Sequence, residues 1–81
     1  MTKDIQLYQT NDGSRIMVYL DEILTNKGNA MYVCGVVGDL NTHLAQNKVV
    51  DILDTEKHVI ATITTSQELK ALLEARDIFC D

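Results

Sequence analysis

The chain has 81 residues, 46% of them hydrophobic, with twelve acidic side chains against seven basic ones and a formal charge of −5. This composition excludes intrinsic disorder, which needs low hydrophobicity together with high charge. It also disfavours direct nucleic-acid binding, because a phosphate backbone is repelled at long range. One domain, residues 1–81, is expected, and a chain of this size buries only about 60 to 65% of its unfolded surface, so a partner chain would add to a thin stability margin.

From Lys3 to Thr10, Ile5 and Leu7 alternate with Asp4 and Gln6, the period of two of a strand with one apolar face. The Asp12-Gly13 pair within Asn11 to Ser14 tolerates positive φ and predicts a tight hairpin turn. Arg15 to Leu24 then reads as the returning strand, with Ile16, Val18 and Leu20 on one face and Met17 and Tyr19 on the other. Thr25 to Asn29 is polar, contains Gly28, and predicts a loop.

Ala30 to Val37, AMYVCGVV, carries no charge and is expected to be a central strand covered on both faces, closed by Gly38. Three strands would then form a meander. Asp39 to Gln46 admits two readings. Leu40 and Leu44, with Asp39 as an N-cap, suggest a short helix, whereas Asn41, Thr42, Gln46 and Asn47 suit a surface loop. Lys48 to Leu53 and His58 to Thr64 are rich in branched residues and are separated by the polar stretch Asp54 to Lys57, predicting a second hairpin. Thr65 followed by Glu68 has the capping-box spacing, and a helix from Ser66 to Asp77 places Leu69, Leu72, Leu73 and the stem of Arg76 on one face. Ile78 and Phe79 follow, either anchoring the tail on the sheet or exposed for a partner. The expected fold is α+β, an antiparallel sheet of about five strands with this helix across one face.

No catalytic or metal constellation emerges. Cys34, His43, His58 and Cys80 match no paired zinc spacing. Asp39, His43 and Cys34 suggest an acid, base and thiol, but an apolar strand offers a nucleophile neither access nor a lowered pKa. Ser14 and Ser66 fit turn and helix-start roles, and the carboxylate pairs Asp21/Glu22 and Asp51/Asp54 suit acid-base work only in a cleft. The Gly35 to Gly38 spacing resembles a nucleic-acid-clamping GxxG loop, but Val36 and Val37 between the glycines empty it of that meaning. Both cysteines are expected to be reduced, Cys34 as a small core residue. No apolar run approaches the roughly 20 residues that span a bilayer, and Lys3 and Asp4 ahead of Ile5 leave no signal-peptide core, so a cytosolic protein without membrane contact is expected.

The binding candidates are aromatic and acidic. Tyr8, Tyr19 and Tyr32, one on each expected N-terminal strand, would line one sheet face with Met17 and Met31, either as an amphipathic patch or as cross-strand pairs under the helix. Asp21, Glu22, Asp51, Asp54 and Glu56, with Asp39, would form a negative surface if the two hairpins lie side by side, and Phe79 is the exposed aromatic of the tail. The expected function is therefore a non-enzymatic protein-binding module, without a cofactor, that takes a basic partner surface and pairs as a homodimer to cover its apolar strands. The alternatives are an oligomeric binder of a small ligand such as a nucleotide, with Lys48, Lys57 or Arg15 on the phosphate, a structural subunit of a larger assembly, or a small hydrolase built on Cys34 or His43. Small size, acidity, this architecture and the lack of a catalytic constellation resemble in kind the phage-encoded inhibitors of bacterial defence systems, such as anti-CRISPR and anti-restriction proteins. That resemblance is carried by no motif and transfers no residue.

Overall fold

The computed structural model describes residues 4–80. Lys3, where the first strand was expected to begin, lies outside them. β1 (Leu7–Gln9) and β2 (Arg15–Tyr19) pair antiparallel with Leu7 opposite Val18 and Tyr8 opposite Met17. The Asp-Gly turn makes this hairpin. Gly13 takes φ 73°, and Asp12 Oδ1 accepts from Thr10 Oγ1 at 2.7 Å, Ser14 Oγ at 2.8 Å and the Ser14 amide at 3.0 Å. Those donors, the Ser14 amide foremost, lower the Asp12 carboxyl from 3.8 to about 2.

Beyond Tyr19 the chain departs from expectation. β2 stops there, and Leu20–Thr25 is a short helix, α1, that buries Leu20 and Ile23 three residues apart. The expected central strand is also helical: Ala30–Ala45 forms α2, sixteen residues long. Its N-cap is Asn29, whose side chain accepts from the Tyr32 amide at 3.3 Å. Val33, Val37, Leu40 and Leu44 are buried, an i, i+4, i+7, i+11 series that only a helix places on one face. Met31, inside the run read as doubly covered strand, is 89% exposed. Asp39 to Ala45 is the second half of the same helix, which resolves the helix-or-loop alternative in favour of helix. α2 ends in a Schellman motif at Asn47 (φ 64°), with the Asn47 amide on the Leu44 carbonyl and the Lys48 amide on the His43 carbonyl.

Because a helix rather than a strand joins the hairpins, β2 and β3 (Val49–Leu53) run parallel, Arg15 opposite Val49 and Tyr19 opposite Leu53. β4 (Val59–Ile63) returns antiparallel to β3 through the polar turn that the sequence predicts, with an irregularity between Ile52 and Leu53. The fold is α+β with a four-stranded mixed sheet in the order β1-β2-β3-β4, rather than about five antiparallel strands.

α3 (Ser66–Glu74) starts at the predicted cap: Thr65 Oγ1 accepts from the Glu68 amide at 3.2 Å. Glu68 Oε1 reaches one residue further back than a standard capping box, accepting from the hydroxyls of Thr64 and Thr65, and those two donors hold its carboxyl below the usual range. A second Schellman turn at Asp77 (φ 60°), closed by the Ile78 amide on the Leu73 carbonyl, folds Ile78 back into the core. The tail continues to Cys80, which is disulfide-bonded to Cys34 with Cα atoms 5.4 Å apart. This overturns the expectation of two reduced cysteines. Cys34 sits on the half-buried flank of α2 beside the returning tail, not inside a strand.

One face of the sheet carries the core. Ile16, Val18, Val50, Ile52 and Ile63 pack with Val33, Val37, Leu40 and Leu44 of α2 and Leu69 and Leu73 of α3. The long helix α2 and the C-terminal helix α3 pack into this core, and that asymmetry positions the candidate site.

Candidate functional site

Residues opposite in register share a face, so the side of the sheet away from the helices presents Tyr8, Arg15, Met17, Tyr19, Asp51, Leu53 and Thr62. At its amino end the Arg15 guanidinium grips Asp51 with two bonds, Nε to Oδ2 and Nη2 to Oδ1, both 2.8 Å, and Thr62 Oγ1 donates to Asp51 Oδ1 at 3.2 Å. Asp51 is buried, so its carboxylate is committed inside the sheet. This removes it from the expected negative surface. It also ties up Arg15, one of the basic side chains considered for a phosphate.

The carboxyl end differs. Tyr8 and Tyr19 stack edge to face, ring centroids 5.9 Å apart at 86°. With Met17, Leu53, Val59 and Lys57 they line a shallow groove of about 640 Å³ along the open face. Tyr8 is 45% exposed and Val59 55%, so apolar surface stays in water on this face.

The parallel pairing adds the acidic element. Since β2 and β3 leave the sheet at the same end, Asp21 and Glu22, which follow β2, lie near the Asp54–Glu56 turn that follows β3. Tyr8, Tyr19, Asp21, Glu22 and Thr55 enclose a pocket of about 270 Å³ there. Glu22 lines it while being only 2% exposed, which puts this side chain at the floor. Its Oε2 is buried with no hydrogen-bond partner among the described residues. A buried polar group left unsatisfied costs about 1–3 kcal/mol in the isolated protein. Beside Thr55, Asp54 Oδ1 holds the turn by accepting from the amides of Glu56 (2.9 Å) and His58 (2.8 Å). The His58 amide is the main cause of its lowered pKa. The Nδ1 of His58 lies 3.5 Å from Asp54 and 3.7 Å from Glu56.

Of the predicted site residues, the structure gathers Tyr8, Tyr19, Asp21 and Glu22 in one pocket, with Asp54 and Glu56 flanking Thr55 beside it. It separates the others. Tyr32 lies on α2, not on a strand, and its hydroxyl accepts from the Ile5 amide at 2.9 Å. Phe79 is 65% exposed on the tail, which lies against Cys34 of α2. Asp39 is on the exposed side of α2. Sequence reasoning missed Leu53, Val59 and Thr55; Leu53 and Val59 are marked only by the hairpin register, which shows no signal until β3 is known to lie beside β2.

Cys34, weighed as a nucleophile, has no thiol to offer. Among the described residues, no three His, Cys, Asp or Glu side chains converge to hold a metal ion. No helix among them is long and apolar enough to cross a membrane. Among the described residues two further buried polar atoms lack partners, Asn41 Oδ1 and His43 Nδ1; Asn41 borders a smaller cleft of about 190 Å³ between α2 and α3 that Val37, Leu69 and Leu73 make apolar. Comparison of the chain with protein-family models, curated proteins and solved structures finds no match.

Proposed function

We propose that the chain is a non-enzymatic protein-binding module that docks a partner's basic surface on its uncovered sheet face, with the Tyr8–Tyr19 pair as anchor and the acidic end of β2 and β3 as the steering charge. The observation that carries this reading is the juxtaposition of an exposed apolar face with a carboxylate pocket at the same end of the sheet. Interfaces draw their affinity from buried aromatic anchors and their orientation from complementary charge. The formal charge of −5 favours a cationic partner from a distance.

A partner that itself holds nucleic acid in a basic groove fits this surface, and an inhibitor of the anti-CRISPR or anti-restriction kind would act by occupying such a groove. A cytosolic setting belongs to the same proposal; there the Cys34–Cys80 bond would face reducing conditions. Self-association through the open face is less favourable for like-charged copies, because it brings two acidic ends together. Lys57 in the 640 Å³ groove supports the small-ligand alternative, though the neighbouring carboxylates oppose a phosphate. Thermal stabilisation by a nucleotide panel would favour that alternative.

The test is affinity capture with three baits. At about 0.1 M salt the wild type retains a partner that it releases near 1 M, where the screening length falls from about 10 to 3 Å. Val59→Glu loses the partner, whereas Phe79→Ser, changed on the tail, keeps it. Retention that ignores both salt and Val59→Glu refutes the proposal.

A further inference from the structure

We infer that the pocket enclosed by Tyr8, Tyr19, Asp21, Glu22 and Thr55 is the receptor for a single arginine side chain of the partner. The inference rests on the protein-binding reading and gives it a chemical address. A cation is called for because, among the described residues, Glu22 stands at the floor with Oε2 buried and unpartnered, Asp21 adds a second carboxylate, and no basic side chain lines the pocket. Lys57 belongs to the adjoining groove, Arg15 to Asp51 and Lys27 to Asp77. Among the described residues the carboxylates have no counter-ion, and a cation from a partner would supply one.

Three features select arginine among cations. A bound Ca²⁺ takes six to eight oxygen ligands, whereas here no three acidic, His or Cys side chains gather among the described residues. A pocket of about 270 Å³ falls below the roughly 300–1,000 Å³ of sites that enclose a drug-sized molecule, but holds one side chain. Its walls include two tyrosine rings at 86° to each other. A planar guanidinium stacks on a tyrosine ring while its fork donates to a carboxylate, and it is more weakly hydrated than an ammonium, so it enters a buried site at lower cost. The groove along Met17, Leu53 and Val59 opens beside the pocket, so the chain bearing that arginine continues onto the apolar face.

The probe is N-acetyl-arginine amide, titrated into the ¹⁵N-labelled protein at low salt and followed by NMR, with N-acetyl-lysine amide and the neutral isostere N-acetyl-citrulline amide in parallel. Arginine amide is expected to give saturable shifts at Tyr8, Tyr19, Glu22 and Thr55, lysine amide weaker ones at the same residues, and citrulline amide none. Glu22→Gln weakens the arginine titration by about tenfold or more, the factor that a lost charge-assisted hydrogen bond carries, while the rest of the spectrum is retained. Equal shifts from citrulline and arginine, shifts scattered over the surface, or an unchanged titration in Glu22→Gln overturn the inference. The two proposals fail separately. A partner still lost in Val59→Glu but indifferent to Glu22→Gln, with no saturable arginine titration, removes the arginine site and leaves the binding module. Capture that ignores Val59→Glu removes the module whatever the titration gives.

Discussion

Replacing Glu22 with methionine removes a buried carboxyl while keeping the length of the side chain. In the free protein Oε2 is buried without a partner among the described residues, and relieving an unsatisfied polar group returns about 1–3 kcal/mol. Glu22 also lies in the first turn of α1, where an acidic side chain gains about 0.3–1 kcal/mol from the helix dipole that methionine gives up. Helix propensity barely separates the two residues. The balance is a gain of about 1–2 kcal/mol, and in a domain of this size each kcal/mol moves Tm by about 4–8 °C. Thermal and urea unfolding should therefore show a more stable variant with an unchanged m-value, while the same protein loses affinity for arginine amide. A residue that lowers stability and is retained for binding has this paired signature. A fall in Tm would mean that Glu22 has a structural partner, and the case for an open cation site would go with it.

Gly35 and Gly38 lie on the exposed side of α2 with nothing within 4 Å of an added Cβ, so alanine at each should stabilise by up to about 1 kcal/mol, read as a rise in the urea midpoint; a loss would argue against helix there. Reducing Cys34–Cys80 releases a cross-link between residues 46 apart in sequence, worth about 4 kcal/mol in the chain-entropy model, so Tm should drop sharply in dithiothreitol while a Cys34→Ser/Cys80→Ser variant ignores the reductant. Asp12, Asp54 and Glu68 all titrate below their ordinary values in the folded chain. Their contribution is complete above the unfolded carboxylate range and is lost as pH falls through the folded values, which for Asp12 runs from 3.8 down to about 2. The urea midpoint should decline over that window, and Asp12→Asn should flatten part of the decline.

Both hairpins and the final helix were legible because their signals are local. Asp12-Gly13, the polar Asp54 to Lys57 connection and the Thr65/Glu68 pair each fix their own few residues. The segment from Ala30 to Val37 was misread because β-branched valines and a glycine inside eight residues look like strand, and the period that decides the matter needs sixteen. Val33, Val37, Leu40 and Leu44 declare a helix only when Asp39 to Ala45 is taken as its continuation, with Asn29 as its cap. The disulfide was hidden for a related reason. It depends on the turn at Asp77 sending the tail back over α2, which follows from a left-handed residue that composition does not reveal.

The pocket itself descends from that helix. Had residues 30 to 37 been a strand, the chain could have reached β3 from either direction. An antiparallel β3 beside β2 would place Asp21 and Glu22 next to Val49, about five residues or 17 Å from the turn at Asp54. The crossover through α1 and α2 instead returns the chain so that β3 enters the sheet at the end where β2 began. Both strands then exit together, and Asp21 and Glu22 after β2 meet Thr55 after β3 around the tyrosine pair. Ligands of sheets with parallel strands gather at this carboxyl edge for the same geometric reason, since it is where consecutive loops are free to converge. The pocket residues are scattered along the sequence from Tyr8 to Thr55, and a single parallel pairing is what makes them one site.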